Sequence, residues 1–370
     1  MGLFIMNRIL ILTNSTIGLY KFRKELLEKL GKTHKVFVSV PSDGFENELK
    51  NLDIHYIKTP VDRRGTNPLR DFLLLCRYFF IIIRTRPNVI LTYTVKPNIY
   101  GNLAAKLFLI PVISTITGLG DGFLNDRLSG KLVRFLYRIA LWRTKTVAFQ
   151  NREDVTVLSN YGIIRNQNLL FVKGSGVNLS QHTPIKYPND GTINFLFIGR
   201  KMTTKGVGHL INASEKLKKE GYIFKTMLIG DTDEADITER LEKSEKDGII
   251  TNLSFQKNVS DFIAKAHVVV LPSYSEGMSN VLLEAAASAR PLITTDVSGC
   301  REVVDEGING FLCTPKSDES LYRAMKDFLN IDNSHRESMG LKSREKVEKE
   351  FNRNDVINIM INEIVRLEKK

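Results

Sequence analysis

Two glutamates with seven residues between them, Glu276 and Glu284, stand in the stretch Leu271-Pro-Ser-Tyr-Ser-Glu276-Gly-Met-Ser-Asn280-Val-Leu-Leu-Glu284-Ala-Ala-Ala. The apolar run before Pro272 reads as a buried strand, and Ser279 or Asn280 can cap a helix rich in Leu and Ala. Free backbone N–H groups at such a helix start form an anion site. A carboxylate in the loop and another about one turn into the helix would flank that site, and carboxylates take pairs of hydroxyl donors. The set suits a ligand with sugar hydroxyls on both sides of a phosphate group. Taken alone, the two glutamates are read equally well as solvated charges that favour a helix start.

A second cluster breaks the tie. Gly199-Arg200-Lys201-Met202-Thr203-Thr204-Lys205-Gly206 follows the apolar run Ile193–Ile198, so its basic residues emerge at the carboxyl edge of a sheet. Thr204 occupies the second glycine position of a P-loop, which argues against nucleotide binding of that type. Arg200 and Lys205 can instead put two fixed positive charges on a diphosphate without a metal. The plainer reading is a solvated basic turn.

These loops need strands and helices to hold them. Apolar runs rich in Val and Ile alternate with amphipathic segments along the 370 residues, the rhythm of parallel βαβ units. Strands are expected at Arg8–Thr13, Lys35–Val40, Asn88–Thr94, Pro111–Thr115 and Thr146–Gln150. A second series is expected at Ile193–Gly199, Ile223–Gly230, Asn252–Gln256, His267–Pro272 and Pro291–Thr295. Helical patterns include Leu19–Leu30, Asn98–Leu109 and Leu128–Trp142. The chain is long for one core, so two doubly wound α/β domains are expected, over residues 1–180 and 192–352. The polar segment 181–191, with two prolines, reads as the linker, and the last helix, 353–370, is expected to return to the first domain. Two such sheets in tandem leave a cleft between their carboxyl edges.

Composition narrows the class. Hydrophobic residues make up 42% and charged residues 25%, which excludes disordered and low-complexity chains. Cys76, Cys300 and Cys313 are too scattered for a disulfide framework, and with six dispersed histidines they form no metal-ligand spacing. The first eight residues show no export or myristoylation pattern, so a cytoplasmic setting is expected. The net charge of +12 is uneven: residues 1–180 hold 26 Lys and Arg against 12 Asp and Glu, the remainder 27 against 29. That half is expected to face an anionic partner, a membrane surface or a nucleic acid.

Arg70, Arg77 and Arg84 recur every seven residues in Pro68–Arg86, among Phe72, Phe79, Phe80 and many aliphatic residues. With charges this frequent the segment cannot span a bilayer, and it reads as a basic amphipathic helix lying on a membrane. Leu128, Leu132, Phe135, Ile139 and Trp142 form a seam on a second helix beside Arg127, Lys131, Arg134 and Arg138. This seam either faces lipid or packs on the first sheet. The aromatics sit among aliphatic residues and not on a basic β-surface able to stack bases, which weighs against nucleic acid.

Together the Glu276/Glu284 pair, the Arg200/Lys205 pair with Gly206, the Gly174-Ser-Gly-Val177 turn and Asp296-Val-Ser-Gly-Cys-Arg-Glu302 resemble the retaining nucleotide-sugar glycosyltransferases of family 4. Those enzymes have the GT-B fold of two Rossmann-like domains. Thr94-Val-Lys-Pro-Asn98 and Thr117-Gly-Leu-Gly120 resemble members that extend undecaprenyl-diphosphate-linked sugars. The resemblance implies a UDP-sugar donor, a lipid-linked saccharide acceptor, no metal cofactor, and work at the cytoplasmic face of the cell membrane. It implies that Gly199, Arg200 and Lys205 hold the donor diphosphate. Glu284 would take the ribose and Glu276 the donor sugar. Backbone around Gly277, Met278, Ser279, Asn280 and Val281 would meet the distal phosphate or sugar, with Lys257 and Asn258 near the base. Glu276, Arg200 and Lys205 would be catalytic, while Gly18, Lys96, Asn98, Thr117 and Gly118 would lie on the acceptor side. A nucleotide-sugar epimerase or hydrolase on the same scaffold is the alternative enzyme reading, and a basic nucleic-acid-binding protein the non-enzymatic one.

Overall fold

The computed structural model describes residues 6–63, 65, 67–124, 127–189 and 191–369. The chain forms two units, Met1–Ser175 with Asn354–Lys370, and Gly176–Arg353. In the first unit β1 (Arg8–Leu12), β2 (Lys35–Val40), β3 (His55–Lys58), β4 (Val89–Tyr93), β5 (Val112–Ile116), β6 (Thr146–Phe149) and β7 (Asn168–Phe171) make a parallel sheet in the order β3-β2-β1-β4-β5-β6-β7. In the second, β8 (Ile193–Ile198), β9 (Phe224–Ile229), β10 (Thr251–Leu253), β11 (Val268–Leu271), β12 (Leu292–Thr295) and β13 (Gly310–Cys313) run in the order β10-β9-β8-β11-β12-β13.

Ile9, Leu10, Ile11 and Leu12 of β1 are wholly buried, as an unbroken apolar run must be when helices cover both faces of a parallel sheet. The strands that the sequence pattern misses, β3, β7 and β13, all lie at sheet edges, and β10, the remaining edge, is shorter than expected. Edge strands are half-exposed and carry only brief apolar runs. The doubly wound order reverses between β1 and β4 and between β8 and β11. Loops at the carboxyl ends of those pairs open onto the positions where such sheets take ligands.

The segment 181–191 is not a free linker. Buried Arg290 donates to the carbonyls of Ile185 at 2.9 Å and Lys186 at 3.0 Å, and the Tyr187 hydroxyl donates to the His267 carbonyl at 3.0 Å. These bonds tie it to the second unit, and the division falls earlier, at Ser175/Gly176. The last helix, Arg353–Glu368, belongs to the first unit, where Val356, Ile357, Met360 and Ile364 share a core with Ile9, Ile11, Leu26 and Leu27. Glu363 fixes it to the sheet by accepting hydrogen bonds from Thr146 and, at 3.2 Å, from Asn168.

On the opposite face of the first sheet lie helices Pro68–Thr85 and Leu128–Leu141, which both contact the short helix Asn102–Lys106. Leu74, Tyr78 and Ile82 of one, and Tyr137, Ala140 and Leu141 of the other, complete a core with Leu10, Leu12 and Ile90. A single helix over Asn98–Leu109 does not form. A π-helical turn at Pro97–Gly101 precedes the helix Asn102–Lys106 and follows Thr94, whose φ is +72°.

Candidate functional site

The loops after β8 and β11 meet at the switch point of the second sheet. The Tyr274 N–H donates to the Thr204 carbonyl at 2.9 Å, so the two loops are joined by backbone. Lys205 pairs with Glu276, and the same glutamate oxygen accepts a hydrogen bond from the Ser273 hydroxyl at 2.7 Å. Both side chains of the pair are mostly shielded, 23% and 15% exposed, so water screens their charges little.

The basic turn divides its labour. Arg200 is exposed immediately beyond β8. Its neighbour Lys201 is 3% exposed and donates to Asn252 and, at 3.0 Å, to the Leu253 carbonyl, tying the turn to β10. Burial pulls the Lys201 ammonium below the usual lysine range, against the opposing pull of Asp231 and Glu245. Asp231 is itself structural, accepting from the Phe255 N–H at 2.9 Å.

Ser279 caps helix Asn280–Ala287, accepting from the Leu282 N–H at 3.4 Å, and Glu284 stands half-buried one turn into that helix. Gly277, Met278 and Ser279 are buried, so this stretch presents backbone and not side chains. The turn Asp296–Glu302 braces it from behind. Gly299 has φ +82°, and a Cβ there would lie 2.6 Å from the Glu276 carbonyl oxygen and 2.7 Å from that of Gly277. Only glycine fits. The Ser279 N–H donates to the Gly299 carbonyl at 2.8 Å, Glu302 accepts from the Gly299 N–H at 2.7 Å, and Arg301 pairs with Asp296 at 2.7 Å. Lys257 and Asn258 are exposed on the loop after β10, where Asn258 accepts from the Ser260 N–H at 3.1 Å.

Sequence reasoning missed a chain of three residues behind the loop. The ring of His209, on helix Val207–Lys219, joins the Tyr274 hydroxyl through Nε2 at 2.7 Å and Asp318 through Nδ1. Burial raises the Tyr274 phenol above the usual tyrosine range. His209 lies four residues beyond Lys205, but Asp318 is 109 residues further on, a separation that local pattern cannot bridge.

In the first unit, Gly18 sits in the first turn of helix Thr16–Gly31, its N–H donating to Ser15 at 3.1 Å, while Thr117 and Gly118 directly follow β5. Lys96 follows β4 and pairs with Asp71 at 2.6 Å. Asn98 departs from its expected role. Wholly buried, it accepts from Thr92 at 2.7 Å and donates to the Thr115 carbonyl at 3.0 Å, which spends its amide on joining β4 to β5. Thr94 is a β-branched residue at positive φ, and its buried hydroxyl has no partner among the described residues, nor do those of Tyr93 and Thr115. Strain of this kind gathers at functional sites.

The candidate membrane helices turn distinct residues outward. On Pro68–Thr85, Leu69, Phe72, Leu73, Phe80 and Ile83 are exposed, with Arg70, Arg77 and Arg84. Phe79 is half-buried and packs on Phe108 at 5.1 Å, so it is not shared with the outer face as expected. On Leu128–Leu141 and just beyond it, the seam Leu128, Leu132, Phe135, Ile139 and Trp142 faces solvent. Arg134 is instead the buried member, donating to the Phe123 carbonyl at 2.7 Å. Among the described residues no helix is long and apolar enough to cross a membrane.

Comparison with known proteins bears on both units. The family model described as glycosyl transferases group 1 matches residues 192–330, and the model described as glycosyl transferase 4-like matches residues 8–151. The chain is 26% identical over 336 residues to N,N'-diacetylbacillosaminyl-diphospho-undecaprenol alpha-1,3-N-acetylgalactosaminyltransferase of Campylobacter jejuni, covering 85% of this chain and 87% of that one. A glycosyltransferase structure from Rickettsia africae matches with a TM-score of 0.80 at 18% identity, over 99% of this chain and 100% of the other. Anabaena HepE in complex with UDP matches with a TM-score of 0.78 at 16% identity, over 98% and 100%. The structural likenesses identify the fold as GT-B, and with both family models matched the chain belongs to the group 1, 4-like glycosyltransferases.

Proposed function

We propose that this glycosyltransferase moves a hexose or N-acetylhexosamine unit from a UDP-sugar to a saccharide carried on a lipid diphosphate, with retention of anomeric configuration and without a metal ion. The observation that carries the reading is the shielded Lys205–Glu276 pair at the β8/β11 switch point, beside Arg200 and a capped helix start. When the donor binds, Lys205 exchanges part of its pairing with Glu276 for phosphate oxygens, and Arg200 adds a second cation. Helix-start amides take remaining phosphate oxygens, Glu284 accepts the ribose hydroxyls, and Glu276 turns to the donor sugar. Departure of UDP develops charge on the diphosphate, where prepositioned cations and amides stabilise it. The acceptor hydroxyl attacks the anomeric carbon from the face that UDP leaves. As the carbon–oxygen bond to phosphate breaks and that to the acceptor forms, the acceptor's proton passes to the departing phosphate oxygen.

In this reading the acceptor saccharide sits at the carboxyl edge of the first sheet, near Gly18, Lys96, Thr117 and Gly118, and the strained backbone of Thr94 beside them supports a functional role for that edge. UDP in the Anabaena neighbour supports the donor class, and the lipid-diphosphate acceptor in the name of the Campylobacter relative supports the acceptor class. The two outward apolar seams, edged by arginine and lysine, support peripheral attachment to the cytoplasmic face of the cell membrane.

The test is a panel of nucleotide sugars incubated with lipid-diphosphate-linked saccharides on vesicles and read by mass. One UDP-sugar should add a single hexose or N-acetylhexosamine in an α linkage, with turnover persisting in EDTA. Conversion of the donor itself at catalytic rates without acceptor would instead identify an epimerase or hydrolase, and complete loss in EDTA would overturn metal independence.

A further inference from the structure

The chain from Tyr274 through His209 to Asp318 does not end at the carboxylate. The other oxygen of Asp318, Oδ2, accepts from the Asn212 amide nitrogen at 2.8 Å, and the Asn212 amide oxygen accepts from Arg240 at 2.7 Å. Arg240 also donates to the Gly208 carbonyl at 3.3 Å, which seats the guanidinium on the same helix. His209 and Asn212 share one face of helix Val207–Lys219, Arg240 lies on helix Ala235–Lys246, and Asp318 opens helix Asp318–Asn330. Five side chains from four segments thus run in series to the loop after β11.

Each step of the series has a direction. A guanidinium only donates and a carboxylate only accepts, so the Asn212 amide must turn its oxygen to Arg240 and its nitrogen to Asp318. The carboxylate in turn draws the proton of the neutral imidazole to Nδ1. That leaves Nε2 as an acceptor, and the Tyr274 hydroxyl, 2.7 Å away, becomes its donor. An acid, an imidazole and a hydroxyl in line also activate nucleophiles in hydrolases. Here burial, with the charge of Asp318 behind it, holds the Tyr274 phenol above the usual tyrosine range, so the phenol keeps its proton. The series aims the ring and does not prime it for attack. What the ring carries is the donor site: the Tyr274 N–H holds the Thr204 carbonyl at 2.9 Å, one residue before Lys205, and Glu276 lies two residues further along the loop.

We propose that His209 and Asp318 are positioning residues for the donor, the directed series from Arg240 to the Tyr274 hydroxyl holding the loop that carries Glu276 against the loop that carries Lys205. The assignment rests on the donor site proposed above and extends it to helices beyond the two loops.

The tautomer is read first, on the unaltered protein, by nitrogen NMR of protein labelled at histidine, with the His209 signal identified by its loss in His209→Gln. The wild type should carry the proton on Nδ1. In Asp318→Asn, Asn212 still donates to the side-chain oxygen, so the new amide nitrogen faces the ring and the proton should move to Nε2. Initial rates of sugar transfer then separate KM from kcat. His209→Asn keeps a donor toward Asp318 but offers nothing to Tyr274, whereas His209→Gln keeps an acceptor for the Tyr274 hydroxyl. His209→Asn and Asp318→Asn should each raise the donor KM roughly three- to tenfold, the scale of one lost hydrogen bond, with kcat within about twofold and thermal unfolding unchanged. His209→Gln should stay within about twofold of the wild type. Added to Tyr274→Phe, His209→Asn should raise KM no further, because both remove the same link. A wild-type proton on Nε2, KM effects that multiply in the double variant, or a fall in kcat as large as the rise in KM would overturn the assignment. Should no nucleotide sugar serve as donor while the tautomer is as stated, the proposed function fails and the positioning role with it. Transfer with an unchanged donor KM in His209→Asn refutes the positioning role alone.

Discussion

Lys205 and Glu276 form the most consequential pair of side chains in the second unit, since each is held by the other and by a loop that has little freedom. Replacing Lys205 by Ala leaves a shielded carboxylate without its cation and, in the proposed mechanism, removes charge from the departing diphosphate. Turnover should fall roughly 100- to 1,000-fold, the scale typical of losing one electrostatic stabiliser, with the melting transition still cooperative; initial rates and calorimetry on the same sample check this. Tyr274 acts differently, because its hydroxyl bonds to His209, whose other ring nitrogen meets Asp318, while its backbone joins the two loops. Tyr274→Phe should raise the donor KM a few-fold and leave kcat within about twofold, the signature of a positioning residue. A fall in kcat comparable to that of Lys205→Ala would place Tyr274 in the chemistry instead. Side-chain type and spacing were enough to single out Arg200, Lys205, Glu276 and Glu284. They were not enough to tell exposed Arg200 from buried Lys201, one position apart, because that difference depends on β10 lying beneath the turn.

At the level of elements, the site depends on how closely the loop after β8 approaches the end of β11. Gly206 has φ +69° and precedes helix Val207–Lys219, and a Cβ there would come within 2.1 Å of the Pro272 carbonyl oxygen. Gly206→Ala therefore adds left-handed strain to a backbone collision. It should destabilise the protein by more than about 2 kcal/mol and abolish donor binding, measured by urea unfolding and by UDP titration. An Ala variant with unchanged stability and affinity would show that the two loops are free to part. The helix Leu128–Leu141 teaches a related lesson. Its period was legible but its orientation was not, since Leu128, Leu132 and Phe135 look core-forming until Gly130, Tyr137 and Ala140 are seen against the sheet. The inner face carries Gly130, Tyr137, Ala140 and Leu141, together with a buried arginine that donates to the Phe123 carbonyl.

For the molecule as a whole, the excess of basic residues in positions 1–180 and the outward apolar seams of the first unit belong to one reading. Binding to anionic vesicles should weaken steeply with salt, and Phe80→Ser combined with Trp142→Ser should reduce it at least about tenfold without altering UDP affinity. Sedimentation with vesicles at several ionic strengths checks both, and binding indifferent to these two residues would remove the seams from the membrane. The alternation of apolar runs and amphipathic stretches was sufficient for two doubly wound units, because strands covered on both faces must be apolar throughout. Local spacing likewise picked out the two loops proposed to hold the diphosphate, since each lies within a single stretch of chain. Folding alone brought together His209, Tyr274 and Asp318, turned the seam of Leu128–Leu141 outward, and attached residues 181–191 to Arg290. Each of those outcomes is a contact between residues far apart in the chain, and which of several chemically acceptable partners a side chain meets is settled by packing.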